Sequence, residues 1–109
     1  MNQSENKSVS FGLQQLQRDG IINILSSNLK VKELLLFGSR AKGNFRQASD
    51  VDIAIKGDDL TLNDLLDLSN SLDSLWLPFK IDLVNYSRIS ESDLIDHIDR
   101  VGKTLYKRN

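Results

Sequence analysis

The residues able to do chemistry are concentrated in one stretch, Gly38-Ser39-Arg40-Ala41-Lys42-Gly43, followed after five residues by Ser49-Asp50-Val51-Asp52, with one further acid at Asp82. Asp50 and Asp52 stand two apart. In a strand, that spacing puts both carboxylates on one face and Val51, Ile53 and Ile55 on the other. Like charges side by side repel, so one pKa is expected to rise in a site without a counter-charge. A divalent cation would remove that cost, and an all-oxygen donor set suits Mg²⁺, which also takes waters and substrate phosphates. Taken alone, the pair reads equally as a solvated strand end. Asp82 interrupts the apolar run Ile81-Asp82-Leu83-Val84, where a lone acid is costly unless paired or bound to metal. The alternative for Asp82 is the exposed face of an edge strand. If its strand lies beside that of Asp50, all three carboxylates converge.

The glycines supply a different capacity. Gly38 and Ser39 follow an apolar run, and glycine allows positive φ and close backbone approach. A helical turn starting there would aim its amides at an anion. Ser39 adds a hydroxyl, and Arg40, Lys42 and Arg46 add positive charge. This fits a cradle for phosphates, but for the glycines alone a plain strand-to-helix turn with solvated cations is the favoured reading, because short glycine motifs match often by chance. The features complete one another: the turn holds phosphates, the acids hold metal, and the metal needs phosphate oxygens.

Several elements must position these residues. Leu34–Phe37, stopped by Gly38, and the alternating Val51–Ile55 read as strands. Ile81–Val84 is a third, and 104–106 is a short final candidate. An amphipathic helix is expected on Leu13, Leu16, Ile21, Ile24 and Leu25. A second, capped by Thr61, carries the stripe Leu62, Leu65, Leu66, Ser69, Leu72 and Leu75, and Pro78 limits its extent. A third starts near Ser90, with Asp93 in a capping arrangement, carries Leu94, Ile95, Ile98 and Val101, and stops at Gly102. The expected class is α+β, with helices packed on a small mixed sheet. Residues 1–10 are polar and expected to form a loose tail, with one domain over 11–109.

Composition narrows the classes. A net charge of −1 over 109 residues gives no argument for nucleic-acid or membrane-surface binding. The absence of cysteine excludes disulfides and thiolate metal sites. No apolar run is long enough to span a bilayer, and the polar N-terminus has no hydrophobic signal region, so a cytoplasmic protein is expected. His97 reads as a surface or helix-packing residue. Trp76, Pro78 and Phe79 read as core or loop anchors before they read as an exposed patch.

Gly38-Ser39, Gly43 and Ser49-Asp50-Val51-Asp52 resemble the GS…G…SDxD signature of the DNA polymerase β-like nucleotidyltransferase superfamily. The pattern is closer to its minimal nucleotidyltransferase (MNT) group, roughly GSxARGxxxxxSDxDL. Lys42 stands where Arg is usual and Ile53 where Leu is frequent. Lys42 keeps the charge without the bidentate fork of Arg. The resemblance implies a polymerase β-like fold and Mg²⁺-dependent transfer of a nucleoside monophosphate, AMP from ATP, to an acceptor hydroxyl. Asp50, Asp52 and Asp82 would be both catalytic and metal-ligating, holding two ions about 3.5–4 Å apart. Gly38, Ser39, Arg40, Lys42 and Ser49 would bind the nucleotide. MNT proteins are typically paired with a HEPN-domain toxin as its antitoxin, and some add AMP to a toxin tyrosine. A HEPN partner is therefore implied, in a homo- or hetero-oligomer. Competing readings are a module that neutralises a partner by contact alone, and transfer onto a small molecule such as an aminoglycoside.

Overall fold

The computed structural model describes residues 9–46 and 48–109. The loose tail expected over 1–10 falls, for residues 1–8, outside the described residues. Val9–Ser10 (β1) instead pairs antiparallel with Leu13–Gln14 (β2). Both linking residues, Phe11 and Gly12, have positive φ, the conformation that a two-residue hairpin of right-handed twist demands.

The main sheet contains β3 (Val31–Phe37), β4 (Val51–Gly57), β5 (Ile81–Asn85) and β6 (Lys103–Lys107), in the order β5-β4-β3-β6. β3 is antiparallel to β4 and β6, and β4 is parallel to β5, so the sheet is mixed as expected. The parallel pair needs a crossover, which α3 (Leu62–Leu72) provides. A bulge between Val31 and Glu33 shifts the phase of β3, which lets Val31, Leu34 and Leu36 enter the same core.

That core lies on one face of the sheet. It joins Leu34, Leu36, Val51, Ile53 and Ile55 to α1 (Gln15–Ser26) through Ile21 and Leu25, and to α3 through Leu68 and Leu72. The other face carries Leu35, Phe37 and Ala54, covered by α4 (Ser92–Val101) through Ile98 and Leu94. Period two in β4 thus separates Val51, Ile53 and Ile55 from Asp52 and Ala54, as its alternation requires.

Some expected faces are corrected. Leu13 reaches the core from β2 rather than from the helix, and Leu16 is exposed. On α3, Leu62 and Leu66 face solvent and Leu68, outside the expected stripe, is buried, while Leu65 and Leu72 pack into the core as expected. Thr61 does cap α3: its Oγ1 accepts from the Asp64 amide at 3.1 Å, and the Asp64 carboxylate accepts from the Thr61 amide at 2.9 Å. α4 is capped at Glu91, not Ser90, and without a side-chain bond. Gly102 ends it in an extended conformation, its amide donating to the Ile98 carbonyl at 2.8 Å. Trp76 is 91% exposed, whereas Phe79 is buried. Among the described residues no helix is long and apolar enough to cross a membrane.

Candidate active site

One end of the sheet gathers the C-terminal end of β3 and the N-terminal ends of β4 and β5. Phe37 pairs with Asp52, and Asp52 is the register partner of Asp82. Neighbouring strands lie about 4.8 Å apart, so the two acids leave adjacent backbones on the same face. That face is the one covered by α4. Asp50 lies just before β4 and is exposed.

The charge of the group is visible on Asp52, whose carboxyl is pushed up, first by burial and then by Asp82 and Asp50, with His97 opposing. Asp82 has a distant cation, Lys80 Nζ, at 3.7 Å. A preassembled three-carboxylate cage is not formed: among the described residues no three acidic or histidine side chains are grouped closely enough to hold an ion. Asp50 acts on this group through its charge, which raises Asp52. Mutual repulsion works against any tighter grouping of bare acids.

The donor chemistry nevertheless fits Mg²⁺. The available groups are carboxylates, and this ion commonly binds through one or two of them, completing its shell with water and substrate phosphate. The elevated pKa of Asp52 marks an electrostatic cost that a cation at this position would relieve.

The turn above the acids is built on Gly38, with φ 77 and ψ −154, a region open only to glycine. A Cβ on Gly38 would lie 2.3 Å from Asp52 Oδ2, so the glycine brings the turn onto the carboxylate. The short helix α2 (Ser39–Lys42) follows, and Gly43 closes it in the left-handed conformation, its amide donating to the Ser39 carbonyl at 2.9 Å. Ser39 is half-buried, and Lys42 is exposed.

Arg40 departs from expectation. It is 1% exposed, and its guanidinium donates to the Ser49 carbonyl (Nη2, 2.9 Å) and the Phe11 carbonyl (Nη1, 2.9 Å). The guanidinium centre also stands 4.8 Å from the Phe79 ring centroid and 5.0 Å from that of Phe45. This cation ties the loop to the hairpin and to the segment before β5, where a phosphate ligand had been expected. Ser49 is likewise committed to the loop, its Oγ accepting from the Arg46 amide at 2.8 Å.

His97 packs its helix on the sheet, one of the two roles expected of it, and in addition reaches the Gly38 turn. Its Nε2 accepts from the Gly38 amide at 3.1 Å, and its ring meets Phe37 edge-on at 6.0 Å. A signal was available: Leu94, His97, Ile98 and Val101 follow the i, i+3, i+4, i+7 rule, which puts the imidazole on the inner stripe of its helix. A cavity of about 640 Å³ lined by Leu72, Trp76, Phe79 and Ile81 contains none of the expected site residues.

The comparisons bear on the fold that carries this site. Residues 19–109 match the family model for "Polymerase beta, Nucleotidyltransferase". No curated protein matches the chain. Among solved structures, a toxin–antitoxin complex with AMP-PNP is 29% identical with a TM-score of 0.71, over 84% of this chain and 74% of that one. The toxin–antitoxin complex MntA–HepT is 29% identical at TM-score 0.67, over 87% and 74%. A tri-AMPylated HEPN toxin with its MNT antitoxin, from Shewanella oneidensis, is 28% identical at TM-score 0.66, over 86% and 72%. With the family model spanning most of its length, the chain belongs to the polymerase beta nucleotidyltransferase family.

Proposed function

We propose that this protein transfers AMP from ATP to a hydroxyl of a HEPN-type partner protein and neutralises that partner as its antitoxin. The observation carrying this reading is the register of Asp52 with Asp82 beneath the Gly38 turn. The similarity to an MNT antitoxin in complex with a tri-AMPylated HEPN toxin, and to a complex with AMP-PNP, supports the acceptor and the nucleotide.

In this reaction the acceptor oxygen attacks the α-phosphorus in line, the bond from that phosphorus to the bridging oxygen breaks, and pyrophosphate leaves. Gly38 and Ser39 orient the triphosphate. Lys42, exposed on the same turn, offers positive charge to it. Asp50, Asp52 and Asp82 would hold Mg²⁺, in a two-ion arrangement with the phosphates. When bound, the metal neutralises phosphate charge and lowers the pKa of the attacking hydroxyl. Asp82 receives that hydroxyl's proton. The protein's contribution is chiefly position and electrostatics.

The test is incubation with α-labelled ATP, Mg²⁺ and a HEPN-type partner protein. Label is expected on the HEPN protein with the wild type and not with Asp50→Asn or Asp52→Asn, both folded. Tight binding without label would replace the enzymatic reading with neutralisation by contact, and label retained at wild-type rate in both variants would remove the carboxylates from the mechanism.

A further inference from the structure

The geometry points to His97 as a positioning residue for the nucleotide-binding turn: its imidazole holds the Gly38 amide, and through it the contact between that turn and Asp52. This inference rests on the nucleotidyltransferase reading and adds a residue from α4 to the site.

Gly38 lies beyond the last ladder pair of β3, Phe37 with Asp52. Its amide therefore needs an acceptor from outside the sheet. His97 Nε2 supplies it at 3.1 Å. A nitrogen that accepts cannot carry the ring proton, so that proton sits on Nδ1. The same ring contacts Phe37 at an interplanar angle of 78°. Two consecutive residues at the end of β3 are thus held by one side chain from α4.

Gly38 is constrained from the opposite side as well. Its Cα faces Asp52 so closely that a Cβ would lie 2.3 Å from Oδ2. Rotating the 37–38 peptide would move Gly38 relative to Asp52 and turn Ser39 with it. The hydrogen bond opposes that rotation. His97 need not touch substrate for this. It acts by fixing the peptide on which the turn is built, and α4 itself is anchored by buried Ile98.

Two substitutions separate this role from packing. His97→Phe keeps an aromatic ring against Phe37 and removes the acceptor. His97→Gln places an amide oxygen near the position of Nε2. The readouts are transfer of labelled AMP to the HEPN protein against ATP concentration, and calorimetric binding of AMP-PNP with Mg²⁺. His97→Phe is expected to raise KM for ATP and Kd for AMP-PNP about three- to tenfold, the weight of one neutral hydrogen bond, with kcat changed less than about twofold. His97→Gln should restore both. Wild-type KM in His97→Phe, or equal impairment in the two variants, would overturn the role. A third measurement needs neither activity nor a variant: scalar coupling between the Gly38 amide nitrogen and His97 Nε2 in the labelled wild type. Its absence would remove the hydrogen bond and the inference. Its presence in a protein that neither binds AMP-PNP nor transfers label would leave the bond intact and refute the nucleotidyltransferase reading instead.

Discussion

Replacing Gly38 with alanine should weaken the fold and the site together, by an amount that can be worked out from two contacts. The backbone there has φ 77 and ψ −154, where an L-residue costs about 1–3 kcal/mol. The new methyl would lie 2.3 Å from Asp52 Oδ2 and 3.2 Å from its Cγ. Asp52 is fixed by its pairing with Phe37 and Asp82, so relief must come from side-chain rotation, and such overpacking costs about 1–3 kcal/mol. Rotation is available at a strand end, which favours the lower part of the summed range, about 3 kcal/mol. A domain of ordinary stability, about 5–15 kcal/mol, survives that loss. Gly43 is the internal control. It has φ 88, and a methyl added there would meet nothing within 4 Å, so Gly43→Ala should show only the left-handed penalty, about 1–2 kcal/mol. Urea denaturation followed by far-ultraviolet circular dichroism is the suitable assay, because Trp76 is 91% exposed and its fluorescence reports poorly on folding. In an Asp52→Ala background the Gly38→Ala cost should fall by about 1 kcal/mol or more, as expected for groups in contact. Equal costs at Gly38 and Gly43, or no coupling to Asp52, would refute the claim that the glycine exists to seat the turn on the carboxylate.

Other perturbations probe separate parts of the argument. Arg40→Lys should cost about 2–3 kcal/mol in urea denaturation, because one ammonium cannot serve both carbonyls and stack on two rings; a loss under about 0.5 kcal/mol would mean the guanidinium is not the loop's anchor. Asp52→Asn should abolish transfer yet leave the fold at least as stable as wild type at neutral pH. The raised carboxyl pKa means that the wild type loses stability as pH rises through it, and the difference should vanish below the ordinary value of 3.8, where Asp52 is protonated in both states. Asp64 has the opposite sign. Its Lys30 partner and the Thr61 amide hold its pKa down at about 2 against 3.8, so its contribution is present above 3.8 and is lost as pH falls towards about 2. Asp64→Asn should flatten that part of the acid limb in denaturation curves taken across this range, and an unchanged limb would contradict the pairing.

The strands of the site were legible because their residues leave little choice. Leu34–Phe37 is apolar on both sides, and both sides are covered, by α1 and α3 on one face and α4 on the other. Asp82 was legible as an anomaly in an apolar run, and its register with Asp52 explains the anomaly. The face of α3 was legible only in part, at Leu65, Leu72 and the following Leu75. Its sequence offers two overlapping helical ladders, Leu62-Leu66-Ser69 and Leu65-Leu68-Leu72-Leu75, and only the packing of α1 and β5 against it selects the second. Asp50 was placed inside a strand because alternation extends smoothly from Asp50 to Ile55, whereas pairing begins at Val51. A period detects alternation but not the residue at which hydrogen bonding starts.

The different fates of the three loop cations follow from geometry that spacing does not encode. Arg40, Lys42 and Arg46 look alike in sequence, and each could be offered to a phosphate. Gly43 closes α2 after a single turn, which points Arg40 inward, between the hairpin carbonyl of Phe11 and the carbonyl of Ser49, while Lys42 and Arg46 remain exposed. A buried guanidinium is tolerated only where its donors are satisfied, and the carbonyls of Phe11 and Ser49 together with two aromatic faces contribute to that. Arg40 is thereby committed to bracing the loop, and Lys42 and Arg46 are the cations of this segment left at the surface.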